Sequence, residues 1–180
     1  MSQRFNTASR PRVDGTRRGT SIRSAAMLIA CMSVAACSEL DRTKFEPTYR
    51  AGNALSAATA KGVNASRYRD LVTSFEARIS VVRRRATTPE ERDLVDQYDE
   101  ALKAYRAALA VWTLKDESRS EWIFSGPTVD ELLKPFDIQF AEGVSGLKRA
   151  SADGVMKEIW RIAKAKLEVA NTTLNGNRRL

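Results

Sequence analysis

From residue 47 onward the apolar positions recur at intervals of three and four, the spacing of one helix face. Pro47 suits the first turn of a helix, which the pattern carries through Tyr49, Ala54, Leu55 and Ala58 to Lys61, with Gly62 as its stop. Asn64 is an expected N-cap for a second helix, whose stripe is Tyr68, Leu71, Val72, Phe75, Ile79 and Val82. Thr88-Pro89-Glu90-Glu91 opens a third with a capping hydroxyl, a proline at the first helical position and two acids facing the positive helix end. Its stripe of Leu94, Tyr98, Ala101, Leu102, Tyr105, Ala108, Leu109 and Trp112 predicts the longest helix, over 89–116. A last helix starts near Ser151 or Asp153, follows Met156, Ile159, Trp160, Ala163, Leu167, Ala170 and Leu174, and ends at Asn175-Gly176.

Four amphipathic helices bury one another's stripes, so the expected class is all-α and the expected architecture a small four-helix bundle. About 35 residues between the third and last helices do not fit it, and a connection that long is usually functional or packed as its own element. Here Thr128 and Glu131 have the spacing of a capping box, predicting a short helix through Leu132 and Leu133 that ends near Pro135. Phe136, Ile138 and Phe140 alternate with Asp137 and Gln139, which predicts a short extended piece.

Residues 1–36 follow a different pattern. They hold six arginines and one acid, a net of +5. Residues 25–36 are then a mostly apolar run, which as a helix spans roughly 18 Å, short of a ~30 Å hydrocarbon core. Basic residues followed by a short apolar run and then small residues are the order of an export signal. Val34-Ala35-Ala36-Cys37 ends it and resembles the lipobox of bacterial lipoproteins: an aliphatic residue, a variable one, a small one, then cysteine. The resemblance covers only the leader and Cys37. It implies that the Cys37 thiol receives a diacylglyceryl group, that cleavage precedes Cys37 and that the new amine is acylated. The chain would then be held to the bilayer of a cell envelope. Ser38 in place of Asp implies the periplasmic face of the outer membrane in a Gram-negative cell. Acyl chains contribute ~0.8 kcal/mol per buried CH₂, so two or more anchor stably.

Other readings of the leader stay open. Val34 and Ala36 also fit an ordinary secretory cleavage site, which would release a soluble periplasmic protein. Leu28-Ile29-Ala30-Cys31 is itself lipobox-like, with few apolar residues before it. Arg17-Arg18 hints at a twin-arginine route but lacks the apolar residues that usually follow. The expected organisation is a removed signal over 1–36, a lipidated Cys37 with a polar tether to residue 46, and a helical domain over 47–180.

Charge then narrows the function. Of the net +8, the leader carries +5 and the remaining 144 residues +3, with both signs interspersed. A basic chain overall is therefore no argument for nucleic acid as a partner. There is no histidine, and both cysteines, Cys31 and Cys37, lie in or at the end of the leader. Cys/His zinc sites, histidine-ligated haem and His-assisted nucleophiles are excluded, and no cofactor or metal is expected. The glycine-rich phosphate loop and the Gly-x-Ser-x-Gly elbow are absent.

The binding candidates are few. Trp122 and Phe124, aromatics among charged residues, are either a recognition patch or a plug for one end of the bundle. Arg83, Arg84 and Arg85 either grip phosphate, lipid headgroups or an acidic glycan, or complement the negative pole of their helix. Tyr98, Tyr105, Trp112 and Trp160 lie on apolar stripes and read as core. The expected function is a non-catalytic envelope lipoprotein binding a protein or envelope component. A ligand-binding bundle with an apolar cavity lined by tyrosines and tryptophans is the alternative. An enzyme working through carboxylates alone would need two acids converging in one cleft.

Overall fold

The computed structural model describes residues 40–143 and 146–176. Helix dominates them. The long helices are α1 (Arg42–Lys61), α2 (Ala65–Arg85), α3 (Pro89–Ser118) and α5 (Ala152–Gly176), with the short α4 (Pro127–Leu133) between α3 and α5. α1 packs on α2, α2 on α3, α3 on α5 and α5 back on α1. The links Gly62–Asn64 and Ala86–Thr88 are three residues each, so α1, α2 and α3 run alternately up and down.

α1 begins five residues before the proline expected to start it. Asp41 caps it, its carboxylate accepting from the Thr43 amide at 3.1 Å and the Thr43 hydroxyl at 2.6 Å. Pro47 is interior and cannot donate to the Thr43 carbonyl. Both residues are exposed, so water can take that carbonyl. Residues 42–46, expected within a polar tether, are helical, and Leu40 and Phe45 are buried.

The inward face of α1 also differs from the expected stripe. Phe45, Thr48, Gly52 and Leu55 are buried, while Ala54 is exposed and Tyr49 and Ala58 are half-buried. Gly52 is the key to this face. A Cβ there would stand 2.8 Å from Leu167 Cδ1 and 3.1 Å from Phe75 Cε2, so hydrogen alone lets α1 lie this close to α2 and α5. Thr48 is fully buried and its hydroxyl has no partner among the described residues. Thr48→Val removes that unpaired group at nearly constant shape, and should raise stability by about 1 kcal/mol. A urea midpoint no higher than the native one would count against this.

α2 follows its predicted stripe, with Leu71 half-buried at its margin, and the Asn64 side chain accepts from the Arg67 amide at 2.9 Å. α3 is buried on two sides because it packs against α2 and α5, so Val95, Ala104, Ala107 and Val111 join its predicted residues in the core. Tyr68, Trp112 and Trp160 form one cluster, with ring centroids 5.5–6.0 Å apart. The Tyr68 hydroxyl donates to the Tyr105 carbonyl at 2.8 Å and accepts from Trp160 Nε1 at 2.9 Å. The Tyr98 hydroxyl donates to Asn171 Oδ1 at 3.1 Å, and Asn171 donates to Asn53 at 3.0 Å, tying α3 to α5 and α1.

A capping box closes the start of α3. Thr88 Oγ1 accepts from the Glu91 amide at 3.2 Å, and Glu91 Oε2 accepts from the amides of Thr87 and Thr88 at 2.7 and 3.5 Å. Its other oxygen accepts from Lys44 Nζ at 2.7 Å, although the Glu91 side chain is only 1% exposed. Burial pushes this carboxyl up. The Lys44 ammonium and the Thr87 and Thr88 donors outweigh that and bring it from its ordinary 4.5 down to about 2.

The chain between α3 and α5 adds a small sheet to the helices. Its strands are β1 (Trp122–Phe124), β2 (Ala141–Glu142) and β3 (Lys148–Ser151), in the order β1-β3-β2 and antiparallel throughout. The extended piece expected over Phe136–Phe140 is displaced to β2. Lys134–Phe136 is a 3-10 turn, and Asp137 at φ 50° breaks the alternation. The Thr128 capping box does not form either. Pro127 is the first residue of α4, which places Gly126 at the cap. Asp130 instead accepts from the Ser125 hydroxyl at 3.0 Å and the Gly126 amide at 3.2 Å.

Candidate binding surface

β1 alternates exposed, buried, exposed along Trp122, Ile123 and Phe124. Successive strand residues face opposite sides, so Trp122 and Phe124 share the outer face while Ile123, 4% exposed, enters the core. Trp122 and Phe124 remain 41% and 46% exposed. Ile123, not the two aromatics, plugs the helices at this end.

Two neighbours hold the strand. The Ser120 hydroxyl accepts from the Trp122 amide at 3.0 Å. The Ala152 amide donates to the Glu121 carbonyl, and the Ser125 amide to the Lys148 carbonyl, each at 2.9 Å. Residues 121 and 125 therefore bond toward β3, and antiparallel alternation makes Ile123 do the same. The Trp122 carbonyl and both backbone groups of Phe124 are left on the outer edge of the sheet.

The pairing also recruits a residue that local pattern does not mark. Phe124 stands opposite Arg149, which brings Arg149 onto the aromatic face. Its guanidinium carbon lies 4.3 Å from the Trp122 ring centroid, a cation–π contact worth ~0.5–1 kcal/mol at an exposed site. A cleft of about 470 Å³ opens beside the stack, with Gln139, Ser151 and Glu158 on its walls. A second, of about 510 Å³, lies across the Asp137–Phe140 segment, between Ser125, Lys134 and Lys148.

The arginine run lies elsewhere. Arg83, Arg84 and Arg85 form the last turn of α2 and are exposed. Arg83 is paired with Asp99 of α3. α2 runs away from the level of Tyr68, which touches Trp112 near the end of α3. The run is therefore at the opposite end of the long helices from Trp122, and the two candidate groups do not form one site. Cys37 lies outside the described residues. Among the described residues no helix is long and apolar enough to cross a membrane, and no group of three or more histidines, cysteines and acids is placed to hold a metal ion. Comparison with protein-family models, with curated protein sequences and with solved structures finds no match to this chain.

Proposed function

We propose that this chain is a lipid-anchored envelope protein, attached through acylated Cys37. Its mature part is a four-helix bundle without catalytic chemistry, and it binds a protein or envelope component through the outer face of β1. The location rests on the leader and Val34-Ala35-Ala36-Cys37. The binding role rests on one observation: Trp122 and Phe124 are held side by side, exposed, beside Arg149 on an edge strand of the sheet. Exposed aromatics grouped this way are the usual anchors of an interface, and free backbone groups at an edge suit an extended protein segment. The lack of histidine, and of any cysteine after Cys37, removes the commonest catalytic groups.

One preparation tests both parts. Membranes from cells making the native chain should yield a protein that begins at Cys37 and carries acyl mass. A photo-crosslinking residue at position 124 should give one discrete adduct, lost when Trp122 is also replaced by Ala. Cys37→Ala should abolish the acyl mass and move essentially all of the chain to the soluble fraction. A native protein that begins elsewhere, or carries no acyl mass, overturns the anchor. Adducts that are diffuse, or indifferent to Trp122, overturn the binding face.

A further inference from the structure

We infer that the end of the helices carrying Arg84 and Arg85 docks directly on the anionic headgroups of the bilayer. This rests on the anchored reading and deepens it by naming what the arginine run touches. The first argument is reach. Leu40 is 4% exposed and belongs to the core, so the chain enters the domain at a fixed point. Only three steps of chain separate it from Cys37, at most about 11 Å when extended.

The second argument is what surrounds that entry point. α1 and α2 have 20 and 21 residues, joined by a three-residue link, so the last turn of α2 lies level with the first turn of α1. Lys44 and Glu91 tie the first turns of α1 and α3 together at 2.7 Å. The Arg92 guanidinium donates to the Thr87 carbonyl at 3.1 Å, two residues beyond Arg85. The ends of three helices therefore share one level, the level at which the anchor would hold the chain.

The third argument is charge. Lys44 and Arg83 at this end are neutralised by Glu91 and Asp99. Arg84 and Arg85 are exposed and make no ion pair among the described residues. Acids are present too. Asp41 is turned onto Thr43 at the start of α1, and Glu90 and Asp93 lie in the first turns of α3. Arg42 and Arg92 lie at this end as well and make no ion pair among the described residues, so Arg84 and Arg85 are the adjacent, exposed pair within a basic group left for an outside anion. Phosphate oxygens accept their planar guanidinium donors well, and each basic residue near an anionic surface adds about 1 kcal/mol. Docking there holds the helices upright and carries the β1 face to the far end of α3, which at 30 residues is about 45 Å long.

The test needs no acyl chain. The protein from residue 37 onward, which contains every core residue among the described residues, is made with Cys37→Ala and sedimented with vesicles. It should bind vesicles of phosphatidylcholine containing about 30 mol% phosphatidylglycerol, and bind pure phosphatidylcholine far less. R84Q/R85Q should lower the partition coefficient roughly 20–30-fold. K61Q/K157Q removes the same charge from the opposite end and should change it less than about twofold. Equal losses in the two double variants, or no preference for phosphatidylglycerol, overturn the proposal. Acyl mass at Cys37 together with either result overturns it alone and leaves the anchor standing. Arginine-dependent binding by a chain that natively carries no acyl mass separates failure of the anchor from this one.

Discussion

Glu91→Ala is expected to destabilise the domain by about 3–4 kcal/mol at neutral pH. The carboxylate joins three segments: it accepts from Lys44 of α1 and from the Thr87 and Thr88 amides ahead of α3. Alanine leaves those two backbone donors without their acceptor and strips an ammonium of its partner. Lys44 keeps an escape, being 28% exposed, so its charge can turn to water, which holds the loss near the lower end for a broken buried pair. Glu91→Gln should cost less, about 1.5–2 kcal/mol, since its amide oxygen still accepts from Thr87 while the charge-assisted bond to Lys44 is gone.

The two variants also separate charge from shape by their pH dependence. The native carboxyl titrates at about 2 in the folded chain against an ordinary 4.5. A lowered folded value means that the unfolded chain binds the proton more readily. The stabilisation is therefore complete above pH ~4.5 and is lost as pH falls toward 2, by at most about 3 kcal/mol. Denaturant midpoints from pH 7 to 2.5 should show the native chain converging on Glu91→Gln as acid is added. A gap between them that stays constant over that range would refute the role assigned to the Lys44–Glu91 pair.

This pair also marks how far pattern carries. The spacing of Thr88 and Glu91 contains a capping box, but nothing nearby announces that Glu91 is buried or that its partner is 47 residues earlier. α2 was legible because it buries one face, and that face is written in large apolar side chains. In α1 the helix, its end at Lys61 and its Gly62 stop were legible, but its start and inward face were not, because half of that face is Thr48 and Gly52, residues that carry no hydrophobic signal. Pro47 is also commonest at a helix start and here is not at one. The sheet was hidden for a different reason. Strands of three, two and four residues are too short to show a period of two, and the pairing of Trp122 with Ser151 is a contact of long range. Trp122 and Phe124 could be picked out by composition alone. Their exposure depends on Ile123 taking the inward position, and the stacked Arg149 depends on the strand register.

Phe75→Ala should be the most damaging single truncation in the helical core, at about 3–5 kcal/mol and roughly 10–20 °C in Tm. The ring is fully buried and meets Tyr98 and Tyr105 edge to face, with centroids 6.1 and 6.5 Å away. Tyr98 is poorly able to collapse into the gap, because its hydroxyl is committed to Asn171. The Phe75 ring also stands 3.1 Å from where a Cβ on Gly52 would be, so the two positions must be coupled. In the native background Gly52→Ala gains up to about 1 kcal/mol of helix propensity, but it presses on Phe75 and Leu167 at a net cost of about 1–2 kcal/mol. With Phe75 truncated, half of that pressure is gone and the added methyl enters the vacated space. Gly52→Ala should then be neutral or stabilising, leaving the double variant at least about 1 kcal/mol better than the sum of the singles. Additive losses would mean that α1 and α2 do not meet through Gly52 and Phe75, and that the close approach of these helices depends on Leu167 alone.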